Sequence, residues 1–509
     1  MADEHDEKSA SAWSRRALLA AAAAAAGCGP GELVRPGDLA SGDSGLGTGD
    51  TARPTGSLTG SVSGGTADTG RTAPPRRPNI LLLYPDQWRA QALGHRGDPN
   101  AHTPRLDAFA AESVSFTDAV TNSAVCTPAR ALMLTGVMPW VHDMDDNGAR
   151  LPDGVPTIGT ALRSSGYRCG WIGKWHLEGK QSAGWVAPGR RFGFDDAWAA
   201  HNFHHRYLSA ELFFDQPVPV RRDDLWQPLW ETDLAMEAID TASEGDAPWF
   251  LTVSWGPPHP NELSPADWDL DMPPELMAAI DPQGLVFRNN VPRDQLEPNG
   301  NDPYGIRGFL HGYYACIRAM DAEVGRLLDH LAQRGLDRDT LVIFTSDHGE
   351  MGGSHGLYKK SIWFEESLRI PMLFRWPAGF GGGRRYAGGA SLLDLAPTLL
   401  SLCTDDAADP GLQGTDLSPW LRGERADEPE RVSFIGRRQG GAFAWRSVRN
   451  HSHKLVQLVD SGREQLFDLA ADPYEDRNAV DDPEHAATLE GLRAELDAWR
   501  VRAADPSVS

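Results

Sequence analysis

Apolar runs of strand length recur along this chain and end in residues that a core would not choose. "NILLLY" leads into Asp86 and Gln87, "YRCGWIG" into Lys174, Trp175 and His176, "PWFLTVSWGPP" into His259, and "TLVIFTS" into Asp347 and His348. Continuous runs of Leu, Ile and β-branched residues without polar alternation predict strands buried on both faces of a mostly parallel sheet. Helical patterns lie between them. The clearest sets Tyr313, Cys316, Met320, Val324, Leu327 and Leu331 on one face, with Gly335 as C-cap. This alternation predicts an α/β fold: a large, mostly parallel mixed sheet sandwiched by helices, with right-handed crossovers. Ligands of such sheets bind beyond the carboxyl ends of the strands, where the polar residues stand. Towards the C-terminus, "FAWRSVRNHSHKLVQLVDSGREQLFDLAADP" reads as short antiparallel strands with a hairpin loop at Ser461 and Gly462. A last helix carrying Leu489, Leu492, Leu496 and Trp499 on one face is expected to pack on that small sheet.

The first part of the chain follows another pattern. Arg15 and Arg16 precede an apolar run from Ala17 to Ala26, then Gly27 and Cys28. The run is too short to span a bilayer and has the flanks of a signal peptide. The paired arginines resemble a twin-arginine export signal, and "AAGC" resembles a lipoprotein box, with Ala25 where such boxes usually have Leu. Residues 1–28 are therefore expected to be a signal segment, and the protein an exported, periplasmic or cell-surface lipoprotein anchored through Cys28. Residues 29–76 are Gly, Ser, Thr, Asp and Pro with almost no aromatics, a composition expected of a flexible tether. The folded part begins near Arg77, with a catalytic unit over 77–425 and a C-terminal α+β unit over 426–509.

Charge narrows the partners. Forty-eight Lys and Arg against 71 Asp and Glu give a net charge of −23. That excludes a general nucleic-acid or anionic-membrane surface, leaving the lipid as the only expected membrane contact. An anionic substrate would need a local cluster of cations, and Lys174, His176, His259 and Lys360 are placed to supply one. Asp86, Gln87 and Asp347 offer oxygen ligands suited to Ca²⁺ or Mg²⁺, and His348 adds a nitrogen. Taken singly, each is an ordinary turn, cap or loop residue; together they suit metal-assisted attack on an anionic ester. Five cysteines do not make a disulfide framework, and Cys169 and Cys316 read as buried thiols. His201, His204, His205 and Arg206, in "AAHNFHHRYLSAELFFDQ", are expected to form a solvated loop, with contact to an acidic sugar as the alternative.

"CTPAR", starting at Cys126, resembles the Cys-x-Pro-x-Arg signature of type I sulfatases, members of the alkaline phosphatase-like superfamily. "RPNILLLYPDQWR", "GKWHL", "PPHP", "TSDHGEMGGSHGLYKKSIWFEESLRIPMLF" and "EQLFDLAADPYEDRNA" resemble further blocks of that family, in its order. The resemblance implies that Cys126 becomes formylglycine, whose hydrate attacks sulfur with one hydroxyl and expels the covalent sulfate with the other. It implies that Arg130 orients the hydrate, and that Asp86, Gln87, Asp347, His348 and the modified Cys126 hold the metal, Ca²⁺ or else Mg²⁺ or Mn²⁺. Lys174 and His176 would hold nucleophile and sulfate, and His259 and Lys360 would grip the sulfate and favour departure of the alcohol. Lys360 is preferred to Lys359 for its spacing to "FEE". Gln87 replaces an aspartate of many sulfatases and His348 an asparagine of others, variants shared with phosphonate monoester hydrolases. Pro128 fits the first turn of a helix that Gly136 can end. The implied activity is hydrolysis of an aryl or carbohydrate sulfate, with a formylglycine-generating enzyme as maturation partner and a sulfated small molecule or glycan as substrate. The alternatives are a phosphonate or phosphate ester hydrolase of the same superfamily, and a non-catalytic lipoprotein that binds sulfated glycans.

Overall fold

The structure is a computed structural model that describes residues 77–179, 184–260, 272–299, 304–405, 411–429, 433–437 and 444–506. The signal segment with Arg15, Arg16 and Cys28, and the 29–76 tether, lie outside the described residues. No helix among the described residues is long and apolar enough to cross a membrane.

The strands are β1 (Asn79–Leu83), β2 (Val114–Phe116), β3 (Arg168–Lys174), β4 (Ala197–His201), β5 (Ala210–Leu212), β6 (Val220–Arg222) and β7 (Trp249–Ser254). They continue as β8 (Thr340–Thr345), β9 (Met372–Arg375), β10 (Arg384–Tyr386), β11 (Ser433–Arg437), β12 (Trp445–Arg449), β13 (His453–Leu458) and β14 (Glu464–Asp468). Eight of them form one sheet in the order β10-β2-β9-β8-β1-β7-β3-β4, in which only β9 runs against its neighbours.

The four strands with polar ends, β8, β1, β7 and β3, are consecutive and parallel. Their carboxyl ends therefore line up along one edge of the sheet, within a few strand spacings of about 4.8 Å each. β1, β7 and β8 are buried almost throughout, as unalternating apolar runs require. One core cluster, with Ile80, Leu82, Trp171 and Ile343, covers one face; the other, with Leu81, Leu83, Val253 and Phe344, packs under the helix Gly305–Gln333. That helix buries Tyr313, Cys316, Met320, Val324, Leu327 and Leu331, and Gly335 follows its last turn at φ +67°.

β11 to β14 form a separate antiparallel meander. Against it lies the helix Ala486–Arg502, burying Leu489, Leu492, Leu496 and Trp499 as its spacing predicts. Trp445, Val456, Leu458 and Phe467 join Val120, Leu357 and Trp363 in a third apolar cluster, joining the meander to loops of the large sheet. A buried ion network reinforces that junction. Glu365 accepts from Arg449 at 2.9 Å and Lys454 at 3.0 Å, and Lys454 also meets Glu475 at 2.5 Å.

Candidate active site

The site is built where β1, β7, β3 and β8 end. Asp86 and Gln87 follow β1, Asp347 and His348 follow β8, and all four side chains are buried. Cys126 opens the helix Cys126–Thr135, whose N-cap is the extended Val125 and whose end is Gly136 at φ +68°. The Cys126 sulfur lies 3.8 Å from Asp86 Oδ1 and 3.2 Å from His348 Nε2. Ligand atoms of Asp86, Cys126, Asp347 and His348 all fall within 4.8 Å of one another.

This donor set fits a divalent cation. His348 Nδ1 donates to the Gly349 carbonyl at 3.0 Å, which leaves the Nε2 lone pair facing the two carboxylates, 3.7 Å from each. Asp347 Oδ1 is fixed by the backbone N–H groups of Gln87, at 3.0 Å, and His348, at 2.9 Å. Gln87 stands beside the set at φ +67°. Its amide donates to the buried Glu350 and its Oε1 accepts from Lys360, so one Oε1 lone pair is left for an ion. Burial pushes the Asp86 carboxyl up, but Lys174, Arg130, His348 and Lys360 outweigh it and hold the group well below the usual carboxylate range.

Cations wall the other side. Arg130, one turn after Cys126 and fully buried, reaches Asp86 and Asp347 at 3.3 Å each; its other nitrogen donates to the Lys174 carbonyl at 2.9 Å and Ser254 Oγ at 2.7 Å. Lys174 donates to Asp86 Oδ2 at 2.6 Å and lies 3.2 Å from His205 Nε2, over the Phe203 ring at 5.0 Å. Lys360 Nζ is 2.6 Å from His259 Nε2, while His259 Nδ1 donates to the Pro260 carbonyl at 2.8 Å. Lys359 donates its backbone N–H to Glu350 at 2.7 Å and accepts at its carbonyl from Met351 at 2.8 Å. His176, at φ +57°, has both ring nitrogens buried without a protein partner. Burial, then Lys174 and Arg130, hold the His176 ring well below the usual imidazole range; burial, then Lys360, do the same to His259. Burial, then Asp86, push the Cys126 thiol up to about 12.

The loop after β4 differs from the expected solvated one. His201 is fully buried, His205 is 7% exposed, and of the four predicted residues only Arg206 stands in solvent. His205 stacks on His259 with ring centroids 3.8 Å apart, and Phe203 lies 4.4 Å from His176. The expectation failed because the histidines carry no periodicity that marks a buried face; the aromatic Phe203 among them was the available signal. Glu350 was also missed, since "DHGE" reads locally as a turn; its burial raises its carboxyl above the usual range.

Residues 78–405 match the family model described as Sulfatase, and residues 353–502 match the C-terminal model of N-sulphoglucosamine sulphohydrolase. The chain is 33% identical over 433 residues to an ulvan-active sulfatase of Formosa agariphila, covering 83% of this chain and 80% of that protein. A Bacteroides fragilis crystal structure assigned as a sulfatase superposes with a TM-score of 0.75 at 26% identity, covering 86% of this chain and 98% of that one. The phosphonate monoester hydrolase of Agrobacterium radiobacter gives 0.67 at 25% identity, covering 84% and 96%. Sulfatases generally work with a metal and a formylglycine, and the cluster at Cys126 has the make-up both require. With the model match spanning most of the folded chain, this protein belongs to the sulfatase family, enzymes that hydrolyse sulfuric esters.

Proposed function

We propose that this enzyme hydrolyses carbohydrate sulfate esters at a formylglycine formed from Cys126, with Ca²⁺ held by Asp86, Gln87, Asp347, His348 and the modified residue. One observation carries the reading: Cys126 sits at the meeting point of two carboxylates and an imidazole whose Nε2 is turned on them, opposite a wall of Lys174, His176, His259 and Lys360. A thiol pushed up to about 12 is a poor nucleophile as it stands, and the sulfur marks where an aldehyde hydrate oxygen would be. When present, the hydrate would supply the attacking oxygen and the cation would withdraw charge from the ester oxygens.

The chain's own residues do the remaining work. Arg130 binds Asp86 and Asp347 together and orients the first turn of the Cys126 helix. Lys174 offers Nζ protons to the sulfate, steered by His205, which accepts from it. The free nitrogens of His176 are available to the nucleophile or the sulfate. Lys360 and His259, already hydrogen-bonded to each other, would pass a proton to the departing alkoxide. The preference for a carbohydrate rests on the similarity to the ulvan-active enzyme and on Phe203 and His205, flat rings against which a sugar can lie.

The test is the mass of the tryptic peptide 106–130 from protein made in its own host, beside Cys126→Ala, followed by assays on sulfate, phosphonate and phosphodiester esters. The peptide should carry an aldehyde or its hydrate, activity should fall on chelation, and Ca²⁺ should restore it. An unmodified thiol in active enzyme overturns the mechanism, and a preference for phosphonates overturns the substrate. The same reading includes export through the Arg15-Arg16 signal after maturation by a formylglycine-generating enzyme, and anchorage by a lipid on Cys28. Loss of membrane association in Cys28→Ala, with activity retained, checks the anchor.

A further inference from the structure

Three metal-binding side chains meet in the C-terminal sheet, away from the catalytic centre. His453 opens β13 and Asp468 closes β14, directly opposite each other in the register. His485 ends the single turn Pro483–His485 that leads into the last helix. Asp468 Oδ2 lies 3.9 Å from His453 Nε2 and 4.0 Å from His485 Nε2, and all three atoms fall within 4.8 Å of one another. These separations are too long for hydrogen bonds. Four-coordinate zinc, with bonds of about 2.0–2.2 Å, needs its donors about 3.4 Å apart, a contraction of about half an ångström from each imidazole to Asp468 and of at most about 1.4 Å between the imidazoles.

The surroundings fix the donors. Asp468 Oδ1 is taken by the backbone N–H groups of Ala470 and Ala471, both at 3.0 Å, so Oδ2 is the free oxygen. Ser452 Oγ donates to Asn450 Oδ1 at 3.3 Å and so accepts from His453 Nδ1 at 3.0 Å. With the hydroxyl so oriented, the lone pair of His453 is on Nε2, which is buried, makes no hydrogen bond and faces a carboxylate. A lone pair turned on a carboxylate oxygen is repulsive until a proton or a metal ion stands between them, and a metal ion can also take the second imidazole. Side chains 16%, 24% and 21% exposed leave an entry path and room for a water as fourth ligand.

We propose that His453, Asp468 and His485 bind Zn²⁺ or a neighbouring late first-row divalent ion, clamping the start of the final helix to the β13–β14 hairpin. Paired imidazoles select such ions over Ca²⁺, so the two metal sites of the molecule answer to different cations. The final helix closes on the catalytic domain through Trp140, which donates to the Ala503 carbonyl at 2.7 Å, and the clamp therefore stabilises this junction.

The experiment is equilibrium dialysis of the whole chain against submillimolar Zn²⁺ with millimolar Ca²⁺ present, with metal counted per chain and the thermal midpoint followed in parallel. Wild type and the catalytic-site variant Asp347→Asn should each take up one Zn²⁺ and melt higher. His485→Ala, changed at a surface turn, should bind about tenfold or more weakly and lose the shift, while keeping its sulfatase activity in Ca²⁺ alone; His453→Ala should match it. Equal uptake by His485→Ala and wild type overturns the proposal, as does uptake that disappears in Asp347→Asn.

Discussion

Lys174→Met tests the cationic wall with little change in volume. Nζ is fully buried, 2.6 Å from Asp86 Oδ2 and 3.2 Å from His205 Nε2. A charged hydrogen bond contributes about 1.5–3 kcal/mol, and a donor aimed at charge that grows in the transition state about 2.7–4 kcal/mol. Because Lys174 would face the sulfate as its charge shifts, kcat/KM should fall about 10²- to 10³-fold. Metal affinity should not fall with it. Asp86 keeps Arg130 at 3.3 Å, and Oδ1, the oxygen near Cys126 and His348, is not the one Lys174 occupies. Steady-state kinetics on an aryl sulfate, with metal content measured on the same samples, separates the two effects. Activity within about threefold of wild type, a barrier change of about 0.7 kcal/mol, would refute the role given to Lys174; loss of metal with loss of activity would show that it shapes Asp86 instead.

Further outcomes follow from neighbouring geometry. His205→Ala removes the acceptor that steers Lys174 and the ring stacked on His259, and should lower kcat/KM about tenfold with partial recovery in His205→Asn; unchanged kinetics would return the loop to a bystander. Gly173→Ala should lower the thermal midpoint sharply, because residue 173 sits at φ +96° and a Cβ there would be driven into the Ser254 carbonyl beside the Arg130 contact; a stable, active variant would contradict this. Burial, then His204, hold His201 well below 6.5, and burial holds its neighbour His204 at about 4, so below pH 6.5 the unfolded chain binds protons that the folded one refuses. Stability is then full above pH 6.5 and falls towards pH 4, by up to about 1.4 kcal/mol per pH unit for each ring. His201→Phe with His204→Gln should flatten that slope in thermal melts, and an unchanged slope would refute the attribution.

The polar ends of β1, β3, β7 and β8 are legible because a strand buried on both faces has no reason to end in Asp, Lys or His. Their adjacency is not legible. It arises from the order β8-β1-β7-β3, set by crossovers of up to about eighty residues that leave no local trace. The buried loop histidines were lost for the same reason. His205 is covered by Phe203 and His259, residues from its own loop and a distant strand end, and no window of sequence contains that packing. Glu350 is hidden by Gln87, more than two hundred and fifty positions away. The last helix was readable because its partner sheet requires only a stripe, and a stripe is written in the spacing of Leu489, Leu492, Leu496 and Trp499.

The charge problem posed by a chain of net −23 is solved over a few ångströms. Arg130 and Lys174 reach Asp86 and Asp347, Lys360 lies beside them on Gln87, and a divalent ion would add further positive charge. Charges this buried are screened little by salt, whereas the acidic exterior is screened within about 10 Å at 0.1 M. The pocket would therefore hold a sulfate by short-range fields, against a molecule whose net charge is negative. On the proposed reading the inner residues would meet the sulfate and the atom it leaves, and the Phe203 and His205 rings beside Lys174 would be the groups placed to meet the alcohol. On that reading specificity would fall to irregular chain, where the sequence is least readable, and chemistry to strand ends together with the Cys126 helix and the Lys360 loop.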